Sequence, residues 1–191
     1  MSKRLFAAAA AVALALTAST ALISSASSEE KTVMVGGAPM YPSKNIVQNA
    51  VNSKDHTTLV AAVKAAGLVD TLQSPGPFTV FAPTNTAFGK LPAGTVETLV
   101  KPENKATLTK ILTYHVVPGR MTAASLMKAV KDGNGEAKLK TVEGEEISVK
   151  QAGPGKLSIT DAKGSTSMVT IADVLQSNGV IHVIDTVLLP M

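Results

Sequence analysis

Phe78-Thr79-Val80-Phe81-Ala82-Pro83-Thr84-Asn85-Thr86-Ala87-Phe88 is the stretch whose reading decides the fold. Phe78, Val80 and Ala82 alternate with Thr79 and Phe81, the period of a short strand. Pro83 ends the run because it brings no N–H to a sheet ladder. Thr84 is then a helix N-cap candidate, Asn85 can satisfy further free backbone donors, and Thr86 to Leu91 continue as one or two helical turns. Three of the chain's four phenylalanines fall here. In a sequence this poor in aromatics, much of the large-area core is expected around this strand-to-helix corner.

The corner sits inside a 191-residue chain whose start has a different character. Lys3-Arg4 precede the apolar run Leu5 to Leu16 and small residues through Ala26, the layout of a secretory signal peptide too short to span a bilayer. Residues 1–26 are therefore read as a cleaved leader and the product as secreted or periplasmic. Losing Lys3 and Arg4 takes two units off the formal charge of +4. Arg120 is then the last arginine, and the lysines lie scattered among acids. No basic stripe exists for a phosphate backbone, which argues against nucleic acid as a partner. The absence of cysteine excludes disulfides and thiolate metal sites. No second segment is apolar enough over a sufficient length to span a membrane.

Outward from the corner, Ser27 to Pro42 reads as a flexible lead, and one domain is expected over 43–191. Ser43 is expected to cap a helix to about Asn52 that buries Ile46, Val47 and Val51. A second helix starts near Asp55 to Thr57 with Leu59, Val60 and Val63 inward, and Gly67 stops it. Beyond the corner, short helices are read over Pro92 to Val100, Glu103 to Leu112 and Thr122 to Val130, with Thr113 to Val117 as a strand. From Ala137 the period changes to alternating strands separated by the turn signals Glu143-Gly144, Gly153-Pro154-Gly155 and Asp161-Ala162-Lys163-Gly164, which is a meander. Asp173 to Gln176 reads as a short helical turn and Val180 to Leu189 as a closing strand. Helices first and an antiparallel sheet second make an α+β layout. The expected core is Leu59, Val63, Phe78, Val80, Phe88, Leu108, Ile111, Leu112, Val116, Ile147, Val169, Ile181, Val183 and Val187.

Phe78, Phe81, Pro83, Thr84, Asn85 and Phe88 in the corner, the Tyr114-His115 pair, and the ending Asn178 to Pro190 with Gly179, His182 and Asp185 resemble the motifs of the fasciclin (FAS1) domain family, in the same order. The resemblance covers about Ser43 to Pro190. It implies a wedge of antiparallel β-sheet flanked by short helices, in a family of secreted or surface-anchored adhesion modules. Carried over residue by residue, it implies partner contact at Tyr114 and His115. A second contact motif falls on Ile171 to Val174, where Asp173 and Val174 correspond and the acidic and proline positions are missing. The expected partner is an extracellular or envelope protein or polysaccharide, met by a monomer that needs no cofactor.

Alternatives remain open from the residues alone. His115 and His182 are also readable as hydrogen-bonded core groups, and Asp185 as a carboxylate orienting a turn. A carrier of pigment or lipid requires an apolar cleft of a few hundred Å³. A hydrolase requires a nucleophile beside His115 or His182, and no G-x-S-x-G elbow supplies one. Asp132, Asn134, Glu136 and Glu143 fall at calcium-loop spacings, but Ala137 stands where that loop needs glycine.

Overall fold

In the computed structural model, which describes residues 31–191, the chain is built around two strands drawn from opposite ends of the domain. β3 (Phe78–Pro83) lies parallel to β9 (Gly179–Ile184), pairing Phe78 with Gly179 through to Pro83 with Ile184. Every residue of β9 is buried, as is all of β3 after Phe78. Strands covered on both faces suit a parallel pair. Val80 and Ala82 enter one apolar cluster with Leu59, Phe88, Leu108 and Ile181, while Phe81 points into a second with Tyr114, Leu126, Ile147 and Ile159.

The remaining strands extend this pair into a seven-stranded sheet, with all other neighbours antiparallel. β4 (Val116–Pro118) flanks β3, and β8 (Thr166–Gln176) flanks β9. β7 (Lys156–Thr160), β6 (Glu146–Gly153) and β5 (Glu136–Lys140) follow outward as the expected meander. The layout is α+β as read from the sequence. The β3–β9 pairing makes the sheet mixed, because the corner strand joins the meander instead of preceding it.

Helices α1 (Ile46–Ala50), α2 (Thr57–Ala66), α3 (Val69–Gln73), α4 (Asn85–Gly89), α5 (Thr95–Leu99) and α6 (Lys105–Tyr114) supply the first cluster, and α7 (Ala123–Asp132) covers the second. α2 ends at Gly67, whose φ of +72° allows the last carbonyls to be capped. α7 begins after Thr122, whose hydroxyl accepts the Ser125 N–H.

Five local readings are corrected. The described part of the lead carries a hairpin, β1 (Val33–Val35) and β2 (Ala38–Met40), because Val35 and Met40 find room in the first cluster. The cap of α1 is Asn45, which forms a reciprocal capping box with Gln48, and Val51 stays exposed past the helix end. α6 runs through Tyr114 and His115 closes it, so neither residue is in a strand. Residues 173–176 continue β8 and form no helical turn. Phe78 and Val169 are only partly buried against the core, whereas the other twelve expected core residues are buried. The leader read over 1–26 lies outside the described residues.

Candidate functional site

Thr84 and Asn85 divide the work at the corner. The Thr84 hydroxyl accepts the Ala87 N–H at 3.2 Å and caps α4, as its sequence position implies. Asn85 turns away to a different helix. Its Oδ1 accepts the Thr58 N–H at 3.0 Å in the first turn of α2, and its Nδ2 donates to the Lys54 carbonyl at 2.8 Å.

Tyr114 and His115 close α6 against the opposite end of the sheet. The fully buried Tyr114 hydroxyl donates to the Glu146 carbonyl at 3.1 Å and accepts the Ala162 N–H at 2.9 Å. Burial raises its pKa, only partly offset by the Ala162 N–H. His115 donates from Nδ1 to the Ile111 carbonyl at 2.8 Å and accepts the Leu188 N–H on Nε2 at 3.0 Å. Both partners fix the neutral ring in one tautomer. Burial pushes its pKa down to about 4, against the opposing pull of the Ile111 carbonyl and Asp161.

Leu188 is the first of three tail residues held by titratable acceptors. Asp161 Oδ2 accepts the Leu189 N–H at 3.0 Å, and Glu145 Oε2 accepts the Met191 N–H at 2.9 Å. The other Asp161 oxygen ties its own turn through the Lys163 and Ser165 N–H groups. The turn signal at Asp161 was legible, but its grip on the tail was not.

His182 repeats the logic of His115 with the opposite tautomer. Nε2 donates to the Met121 carbonyl at 2.8 Å, Nδ1 accepts the Asp173 N–H at 3.4 Å, and the ring stacks on Phe81 with centroids 5.7 Å apart. Burial lowers its pKa as well. Asp173 sits at an irregularity of β8 with φ +57°, and its carboxylate accepts the Ala123 N–H of α7 at 2.7 Å. Asn178, buried under the β8–β9 turn, accepts the Ile46 N–H and donates to the Leu72 and Ser74 carbonyls. Gly179 follows because an added Cβ would stand 2.1 Å from the Phe78 carbonyl oxygen. Asp185 accepts the Met168 N–H and the Ser167 and Thr186 hydroxyls, and pairs with Lys90 at 3.5 Å.

The structure thus places the motif residues in a frame of backbone hydrogen bonds and core packing, the expected contact positions Tyr114, His115, Asp173 and Val174 among them. Tyr114, His115 and Val174 are buried, and the carboxylate of the half-buried Asp173 is occupied by α7. Both ring nitrogens of His115 and His182 are taken by backbone, whereas His56 meets the Ser53 hydroxyl through Nδ1 at 2.8 Å. Of the calcium-spaced acids, Asp132 pairs with Lys128 and Glu136 with Lys150. Among the described residues, no group of three His, Asp or Glu is placed to hold a metal.

Among the described residues, two of the concave features stand out. One is an almost wholly apolar cleft of about 70 Å³ between α2, α3, α6 and β3, lined by Leu59, Val63, Leu68, Leu72 and Val80, with Lys64 the only charged residue among its walls. The other is a polar cleft beside Arg120, between the α3–β3 loop and the β8–β9 turn. Sequence reasoning found neither, since each is assembled from segments far apart in the chain.

Comparison with known proteins agrees with this frame. A solved structure described as a FAS1 domain pair from the insect cell adhesion molecule Fasciclin I superposes with a TM-score of 0.69 at 22% identity, over 78% of this chain and 52% of that one. Protein sll1483 of Synechocystis sp. is 49% identical over 84% of this chain and 82% of its own length. Immunogenic protein MPB70 of Mycobacterium bovis is 37% identical over 74% and 66%, and human periostin 31% identical over 77% of this chain but 16% of its own. The Fasciclin domain profile matches residues 54–190, which takes in the corner, the Tyr114-His115 node and the closing strand, and the chain belongs to that family.

Proposed function

We propose that this chain is a secreted, non-catalytic contact module that engages an extracellular or envelope protein or polysaccharide, as a monomer, after removal of residues 1–26. The observation that carries the reading is the internal use of His115 and His182. These four ring nitrogens bond to backbone and help hold the fold, which supports a contact role over a catalytic one at these two histidines. The naming of one structural relative as a cell adhesion molecule supports the same direction. In this reading the contact domain is 43–191, with the β1–β2 hairpin of the lead packed onto it.

The test is to immobilise residues 27–191 and pass over it the culture medium and solubilised envelope of the native host. Saturable retention of a protein or polysaccharide is the expected result. Retention of only a coloured or lipidic small molecule would favour a carrier instead. The apolar cleft motivates that second reading, although about 70 Å³ falls well short of a typical small-molecule site of ~300–1,000 Å³.

A further inference from the structure

Arg120 stands apart from the rest of the chain's charge. It lies in the loop between β4 and α7, exposed, and its Nη2 donates to the Gln176 carbonyl at 2.9 Å and the Ser177 carbonyl at 3.3 Å. These bonds lay the guanidinium along the β8–β9 turn. Among the described residues, its Nε–H and Nη1 groups take no protein acceptor and it makes no ion pair.

The guanidinium faces a cleft of about 520 Å³, within the range of small-ligand sites. Asn45, Gln73 and Ser177 contribute amide and hydroxyl groups to its walls, and Pro75 and Pro77 contribute exposed ring faces. No aspartate or glutamate lines it. An unpaired, pre-oriented guanidinium prefers a carboxylate, with which it forms charge-assisted bonds. Side-chain amides and a hydroxyl around flat apolar faces suit a ring that carries hydroxyls at its rim and C–H groups on its face. A peptide chain would instead look for an apolar socket for its anchor side chain.

We propose that the cleft beside Arg120 binds a carboxylate-bearing polysaccharide, with a uronic-acid unit against the guanidinium and the sugar rings over Pro75 and Pro77. This rests on the contact-module reading and names its partner.

The test titrates trigalacturonic acid into isotopically labelled residues 27–191 by NMR, beside its fully methyl-esterified counterpart, triglutamate and sodium acetate. The acid should shift the resonances of Gln73, Arg120 and Ser177. The ester should bind about tenfold more weakly or worse, the loss of one charge-assisted contact. Arg120→Gln should abolish the difference between acid and ester. Gln73→Ala, which leaves the Arg120 bonds to the turn intact, should weaken the acid without abolishing that difference. Equal binding of ester and acid, equal binding of triglutamate or acetate, or no response to either variant would overturn the proposal. A macromolecule still retained by folded Arg120→Gln would overturn this site alone, whereas failure of the wild type to retain any macromolecule would remove the contact-module reading beneath it.

Discussion

His115 Nε2 accepts the backbone N–H of Leu188 at 3.0 Å, joining the end of α6 to the tail that follows β9. The bond requires an unprotonated nitrogen. The folded state therefore resists protonation until about pH 4, whereas a histidine in the unfolded chain titrates near 6.5.

That difference makes the fold acid-labile in a defined window. The histidine's folded pKa is depressed, so its contribution is complete above pH 6.5 and is lost as the pH falls toward about 4. The loss amounts to about 3 kcal/mol for this group. His56 and His182, also lowered by burial, act in the same direction. Urea unfolding at pH 7, 6, 5 and 4 should show the decline, and His115→Gln should flatten part of it. A stability that stays constant between pH 7 and 4 would contradict the neutral, doubly bonded ring.

Phe81 and Phe88 carry the two sides of the core. Phe81 is fully buried against His182 and Phe88 is 7% exposed, so replacing either by alanine should cost about 3–5 kcal/mol in chemical denaturation. A loss well under 1 kcal/mol at Phe81 would place that ring at the surface.

Asn178→Ala removes one acceptor and two donors from a buried site, leaving the Ile46 N–H and the Leu72 and Ser74 carbonyls without this partner. A destabilisation of about 2–4 kcal/mol is expected. Hydrogen exchange should speed first at the Ile46 amide, and unchanged exchange there would show that the side chain does not hold α1.

Gly179→Ala tests backbone proximity. The new methyl would meet the Phe78 carbonyl at 2.1 Å, forcing β3 and β9 apart at the start of their pairing. A cost of about 3 kcal/mol or more follows, the upper range for overpacking. Thermal unfolding of the variant beside the wild type measures it, and an unshifted midpoint would mean that the strands do not meet there.

The corner was legible because its signals are local: alternation, a proline and a capping threonine act within a few residues. The partners of those same residues were not. Asn85 looks like a second cap for α4, yet its amide serves α2, and Asp161 looks like a turn former, yet one of its oxygens holds Leu189. β-branched and aromatic residues over Thr113 to Val117 suggested a strand, but packing of Leu108, Ile111 and Leu112 carried the helix through to Tyr114. Asp173 escaped recognition as a kink in β8 because a positive φ is uncommon for a non-glycine residue. The polar cleft was invisible for a simpler reason: Gln73, Arg120 and Ser177 become neighbours only after the sheet has formed.

The parallel pairing of β3 with β9 also bears on how this protein comes into being. β9 is the last strand of the sheet, so β3 has no β9 to lie against until nearly the whole chain is available. A growing polypeptide must hold Phe81 and its neighbours exposed through the synthesis of everything between the two strands, a long-range closure that slows folding and invites aggregation.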